Sequence, residues 1–317
     1  MNNYHLADDG FAVWVVPIDD KNNMCDIDLH INQWIMPEKK RSSVNVFVDF
    51  GIRVYSARNA SKICFYAPFN IEERDCVDLS MLLQDRNIAR GIFNTNCDIN
   101  LNDRVGIFEL NYNFHESNVL ELSKHIEKCS GGSLISFDVS SVVDKLSKDE
   151  LYIRFRIKNK NMGEFLSKES KTLKSFASLL SSPIIKEEYT YTVRVNEMRC
   201  LPDAIRYNSI LQKQKTKKII LTVCMNGKFV INSSTCYKTR VLEEQLYNNY
   251  VPSGFVLNNC MVYQWLQEKH AGNHYNLTTT FYKEYVNKKS LLLYALFVVL
   301  LSALGGGVVE AIKYIVL

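Results

Sequence analysis

No phosphate-cradling loop occurs in this chain. Neither Gly-x-x-x-x-Gly-Lys-Ser/Thr nor Gly-x-Gly-x-x-Gly is present, which removes a nucleotide held on a glycine turn as a starting hypothesis. The Gly-x-Ser-x-Gly elbow of serine hydrolases is missing too. No Cys-x-x-Cys pair exists, and the six histidines are dispersed. His270 and His274 have i, i+4 spacing, but Ala-Gly-Asn between them is a poor helix and no Glu follows the first His. Zinc-protease chemistry therefore lacks its general base, and the pair reads as exposed. The acidic pairs Asp19-Asp20, Glu72-Glu73 and Glu243-Glu244 read as solvated positions rather than an acid/base dyad. No catalytic, metal or cofactor site is expected, and the chain is not read as an enzyme.

The opening segment, MNNYHLADDGF, has neither the basic nor the apolar region of a secretory signal. It also lacks Gly at position 2, and no CaaX box closes the sequence. Nine cysteines form an odd set, several inside apolar runs such as KICFYAPF. They read as reduced, buried small hydrophobes, which points to the cytoplasm.

What is present in quantity is core-forming material. Apolar residues make up 47% and charged residues 23% of 317, with a net charge of +4. A substantial core follows, and the mild positive balance does not by itself call for a nucleic-acid partner. Residues 11–67 read as antiparallel strands, with Asp26, Asp28 and His30 on a wet face and Ile27, Leu29 and Ile31 on a dry one. PEKKRSS at 37–43 is a polar turn between two strands. Asn70 with Glu73 resembles a capping box opening a helical stretch through Ile92, and RVGIFELNYNF at 104–114 reads as a strand. SNVLELSKHIEK at 117–128 reads as a second short helix, with strands at 129–143 and 151–159.

Residues 162–180 carry Phe165, Leu166, Leu173, Phe176, Leu179 and Leu180 on one face, the pattern of an amphipathic helix. EEYTYTVRVN alternates as a strand, DAIRYNSILQKQ is a helix, and Asn226-Gly227 between two apolar runs predicts a type I′ hairpin. CYKTRVLEEQLYNNYVP at 236–252 reads as a helix ending at Pro252, followed by a short element at CMVYQWLQEKH. The expected fold is α+β: a β-rich, two-lobed cytoplasmic body with inserted helices, plus one C-terminal transmembrane helix. The expected divisions are a β-rich domain at 1–160, an α+β domain at 161–287 and an anchor at 288–317.

The anchor carries the clearest signal. LLLYALFVVLLSALGGGVVEAIKYIVL runs from Leu291 to Leu317 without a charge between Lys289 and Glu310, and about 20 apolar residues cross a bilayer. Lys283, Lys288 and Lys289 precede it and nothing comparable follows, so the body is expected on the cytoplasmic side of an inner or plasma membrane. Ser302 with Gly306 and Ala303 with Gly307 are small-xxx-small pairs, and Glu310 and Lys313 continue the same stripe. A passive anchor, an oligomerising helix and a pore-forming helix all remain open. One basic cluster, Lys213, Lys215, Lys217 and Lys218, together with Lys288 and Lys289, could hold phosphate groups of lipid headgroups.

The reading that follows is a tail-anchored, single-pass protein. Its partners are membrane lipids and a protein partner or further copies of itself, not nucleic acid. Its body recruits a partner to the bilayer, and an active version would be a membrane-perturbing effector of bacterial anti-phage defence. The alternative is an enzyme or nucleic-acid-binding protein whose site is assembled from scattered residues.

Overall fold

The computed structural model describes residues 10–19, 24–37, 44–101, 106–158, 166–169, 184–227, 229–231, 236, 238–253, 255, 257–268, 274–286 and 288–316. The chain divides into two compact units. One comprises Met1–Phe165, Thr192–Gly227 and Ser234–Thr278, the other Leu166–Tyr191, Lys228–Ser233 and Thr279–Leu317.

The elements begin with β1 (Ala12–Pro17), β2 (Ile27–Pro37), β3 (Val44–Val54) and β4 (Ala60–Ala67), as the alternation in 11–67 predicts. There follow β5 (Cys76–Asp78), α1 (Arg86–Phe93), β6 (Asp98–Leu101), β7 (Ile107–Tyr112), β8 (His115–Leu120), β9 (Lys124–Cys129), β10 (Gly132–Asp138) and β11 (Glu150–Ile157). Next are β12 (Leu166–Glu169), β13 (Ile184–Val195), α2 (Asp203–Arg206), α3 (Ser209–Lys213), β14 (Thr216–Asn226) and β15 (Phe229–Ile231). The last are β16 (Lys238–Val241), β17 (Cys260–Glu268), β18 (Tyr275–Val286) and α4 (Lys288–Val316). The molecule is thus β-rich, with short helices in its connections and one long helix near its C-terminus.

In the first unit, β1-β4-β10-β9 form one antiparallel sheet. A larger mixed sheet has the order β16-β17-β14-β2-β3-β11-β8-β7-β6, with β5 also paired to β11. Its parallel pairs are β14 with β2 and β11 with β8. The two sheets meet through a phenylalanine layer. Phe50 and Phe155 of the large sheet face Phe65 and Phe137 of the small one, with ring centroids 4.5 Å apart for Phe50 and Phe65 and 5.0 Å for Phe137 and Phe155. All four are fully buried, so period-two alternation supplies one dry interface. The outer face of the small sheet, with Ala12, Trp14 and Tyr66, is covered by Leu201, Ile205 and Leu211 from the α2–α3 region.

The other face of the large sheet differs from its reading as a wet surface. Asp28 is 1% and His30 7% exposed, because α1, the 3₁₀ turn Ser80–Gln84 and the segment around Tyr247 and Tyr250 pack over it. Charge alternation marks a face without saying whether water or protein covers it.

Other expectations also give way. The helix read at 117–128 is strand: β8 and β9 pair with β7 and β10, and ladder pairing of buried Val119 and Leu120 outweighs the local helical spacing. Asn226-Gly227 does not close a hairpin, since β14 lies between β2 and β17 while β15 pairs with β18. Gly227 instead donates its amide to Asn259 O. The helix read at 236–252 resolves into β16 and the 3₁₀ turn Glu244–Leu246. The helix read from Asn70 shrinks to α1, whose cap is Asp85 accepting from the amides of Asn87 and Ile88. DAIRYNSILQKQ becomes two short helices, α2 and α3. Of the amphipathic segment 162–180, Leu166–Glu169 is strand β12 and the remainder lies outside the described residues, as do Lys39, Lys40, Arg41 and His270.

The second unit carries a four-stranded sheet in the order β12-β13-β18-β15. Tyr189, Phe229 and Phe281 fill its centre: the Tyr189 and Phe281 rings stack at 5.4 Å, and Phe229 stands edge-on to both. A single residue separates β18 from α4.

Candidate functional site

Two features stand out, and the first is α4. It is long and apolar enough over Lys288–Val309 to cross a membrane, with a mean hydropathy of 2.4. Its large aliphatic side chains are exposed among the described residues: Leu292, Val299 and Leu304 are 63%, 65% and 66% exposed. A Cβ built on Gly305, Gly306 or Gly307 would meet nothing within 4 Å. Ser302, Ala303, Gly306 and Gly307 therefore lie on an open helix surface, while Glu310 and Lys313 fall on the same helix with side chains outside the described residues. Lys288 and Lys289 sit exposed in the first turn.

Just ahead of α4, the sheet of the second unit interleaves lysine with aromatics. Lys186 Nζ lies 3.8 Å from the Tyr282 ring centroid, and Lys283 lies over Phe229 and Tyr285. Tyr285 and Tyr189 both donate to Glu187. Rings with polar tips beside ammonium groups are the composition favoured at a membrane–water boundary.

The second feature is the buried polar face of the large sheet. β2, β3 and β11 contribute to it in register: Asp28 opposite Arg53 and Arg53 opposite Tyr152, then Asn32 opposite Asp49 and Asp49 opposite Arg156. Asp49 is fully buried and its carboxylate accepts four hydrogen bonds. Arg156 Nε and Nη2 reach it at 2.6 and 3.0 Å, Trp34 Nε1 at 2.8 Å and the Tyr250 hydroxyl at 2.6 Å. Tyr250 in turn accepts from Arg154 Nε at 2.7 Å, and Arg154 Nη1 donates to the Tyr152 hydroxyl, which contacts His30 Nδ1 at 3.3 Å. Gly51 makes room for this chain, since a Cβ there would collide with the Tyr152 hydroxyl and crowd Arg154 Nη1. At the edge of the same face, Asp28 takes Arg53 at 3.2 Å and the Tyr55 hydroxyl at 2.7 Å, and Glu150 takes Ser117.

Both carboxylate oxygens of Asp49 are engaged, and the side chain is closed off from solvent. The arrangement therefore acts as a clamp: Tyr250, from the covering segment, is tied to both arginines' strand and to β3. Burial pushes the Tyr250 hydroxyl well above its ordinary range, so it stays a neutral relay. Burial, reinforced by the Arg53 and Arg154 charges, holds the His30 imidazole well below its ordinary value. Burial also pushes the thiols of Cys25 and Cys64 up to about 11 and of Cys76 up to about 12, which leaves them almost wholly protonated at neutral pH. All nine thiols are free. No cluster of His, Cys, Asp and Glu able to hold a metal occurs among the described residues.

The lysine cluster does not form one patch. Lys213 ends α3 and Lys215 lies in the following turn, both exposed. Lys217 pairs with Asp26 at 3.1 Å and covers the Tyr55 ring, while Lys218 pairs with Glu268 at 2.9 Å. A bulge in β14 falls at these residues, and each of the last two lysines is already engaged by a carboxylate.

The reading of isolated motifs missed the clamp altogether. Its signal was the appearance of charge at every second position of three apolar strands, DIDLHIN, VDFGIRV and YIRFRI. No protein-family model matches the chain, and no curated protein sequence matches it either.

Two outcomes test the clamp. Asp49→Asn strands the Arg156 guanidinium in the interior, and unfolding in denaturant is expected to show a loss of about 3–5 kcal/mol. The unfolded chain binds a proton at position 30 more readily than the folded one, so stability falls as pH drops through the ordinary imidazole range. The decline is expected to approach about 1.4 kcal/mol per pH unit. His30→Leu should remove that part of the slope, measured as the difference between the two proteins' pH profiles.

Proposed function

We propose that this is a single-pass membrane protein whose β-rich body is anchored by α4 and presents a protein-binding surface at the bilayer, so that a bound partner is brought to the membrane. The observation that carries the reading is α4, an apolar helix of membrane-spanning length whose span is not buried among the described residues. In water such a surface is costly to leave exposed, at about 25 cal/mol per Å² of apolar area, whereas lipid accommodates it. The aromatic and lysine side chains of β13, β15 and β18 support an interfacial position for the adjoining sheet. The excess of Lys283, Lys288 and Lys289 on that side supports a cytoplasmic body.

A second reading rests on the open stripe. Small residues at 302, 303, 306 and 307 with free space around the glycines suit close approach of another copy of α4. Clustering of such helices is what a membrane-perturbing effector would use.

Expressed in bacteria, the full chain is expected to stay with membranes after alkaline extraction, and a version ending at Asn287 to become soluble. A full chain released by alkali would sink the anchor reading. Gly306→Leu separates the two uses of the helix: membrane attachment is retained in either case. Loss of a cross-linked dimer, or of membrane depolarisation on overexpression, in that variant alone would establish the oligomeric role.

A further inference from the structure

The smaller sheet of the first unit has two unlike edges. At β1 the chain itself closes the edge. The Val13 amide donates to Asn196 Oδ1 at 2.7 Å, Asn196 Nδ2 donates to Val13 O at 3.1 Å, and the Val15 amide donates to Gln214 Oε1 at 2.8 Å. At the opposite edge β9 pairs with β10 alone, in antiparallel register with Ile126 opposite Ile135. One bond fixes the phase of that ladder: the Asp138 amide donates to Ser123 O at 3.0 Å. Hydrogen-bonded pairs recur at every second residue, so His125, Glu127 and Cys129 turn their amides and carbonyls toward β10. Lys124, Ile126 and Lys128 turn theirs outward, where they have no backbone partner among the described residues.

A groove of about 360 Å³ runs beside these outward groups. Its other wall is the stretch 71–73, held to the sheet where the Ile71 amide donates to Ser133 Oγ at 2.9 Å. Of the acids on that wall, Glu72 is engaged by Arg74 at 2.8 Å. The side chains of Lys124, Ile126 and Lys128 share one face of β9 and line the groove as cation, apolar group, cation.

A row of free backbone donors and acceptors with room beside it is a template for an added strand. Charge on an edge strand ordinarily discourages such pairing. Alternating with Ile126, it instead makes the pairing selective, because residues directly opposite on paired strands attract or repel one another. The match to β9 is acid, apolar residue, acid. A second copy of β9 set symmetrically about Ile126 would bring Lys124 and Lys128 opposite each other, like against like.

We propose that the free edge of β9 is a strand-addition site for an extended segment of a partner protein, one in which two carboxylate residues flank an apolar residue at alternate positions. The inference names the protein-binding surface of the reading above and to that extent rests on it.

The test is fluorescence anisotropy of a labelled peptide, Thr-Glu-Thr-Val-Thr-Glu-Thr, titrated with the full chain in lipid nanodiscs, empty nanodiscs giving the baseline. Saturable binding is expected. N-methylation of the valine removes the amide that would donate to Ile126 O and should weaken binding by about tenfold, the weight of one hydrogen bond. The same change at an adjacent threonine, whose amide points away from β9, should leave binding unchanged. Lys128→Glu, at an exposed position, sets like charges opposite each other and should also weaken binding by about tenfold. Lys62→Glu, on an exposed lysine outside the groove, should not. A peptide of the β9 sequence, Lys-His-Ile-Glu-Lys, checks the other occupant: binding as tight as that of the acidic peptide would assign the edge to a second copy and overturn the proposal. Absence of saturable binding would overturn it too, as would binding indifferent to the N-methylated valine or to Lys128→Glu. Failed capture of the peptide leaves attachment by α4 untouched, and release of the chain by alkali leaves the β9 edge untouched, so the two readings fall separately.

Discussion

A carboxylate placed at the centre of a ten-stranded sheet must be matched or the sheet cannot close over it. Asp49 is matched by a bidentate arginine on the next strand, an indole on the strand before and a tyrosine from the covering segment. Desolvation of an ion pair costs several kcal/mol per charge, and only good geometry with further hydrogen bonds offsets it. The clamp therefore acts less as a source of stability than as a selector of register. A slip of one residue in β2, β3 or β11 would turn Asp49, Arg154 and Arg156 into the phenylalanine layer on the opposite face.

That constraint organises the layers around it. One face of the large sheet is dry because Phe50 and Phe155 meet the smaller sheet. The other is polar but covered, so its side chains are paired inward rather than hydrated.

Much of the strand content was legible in the sequence. β1 to β4 follow the alternation of FAVWVVPI, CDIDLHINQWIM, VNVFVDFGIRVYS and SKICFYAPF, because each strand buries one strongly apolar face. The C-terminal helix was equally plain, since length and hydropathy alone define it. The polar face was misread for a physical reason: the partners of Asp28 and Asp49 are Arg53 and Arg156, and strand register, which fixes those pairs, is set by long-range pairing. The segments 117–128 and 236–252 were misread because helical spacing in a short polar stretch is weak against ladder pairing with a neighbour. The Asn226-Gly227 signal failed because it measures the turn and not the destination of the strands beside it.

The central claim is that α4 lies within a bilayer while the β-rich body stays outside. Depth-dependent quenching tests it most directly: a tryptophan introduced as Leu300→Trp in the full chain, reconstituted into vesicles whose acyl chains are brominated near mid-depth, with the unaltered protein as baseline. Strong quenching of the added fluorescence is the result the account predicts. Fluorescence at position 300 that brominated lipid leaves untouched, but that an aqueous quencher suppresses, would contradict it.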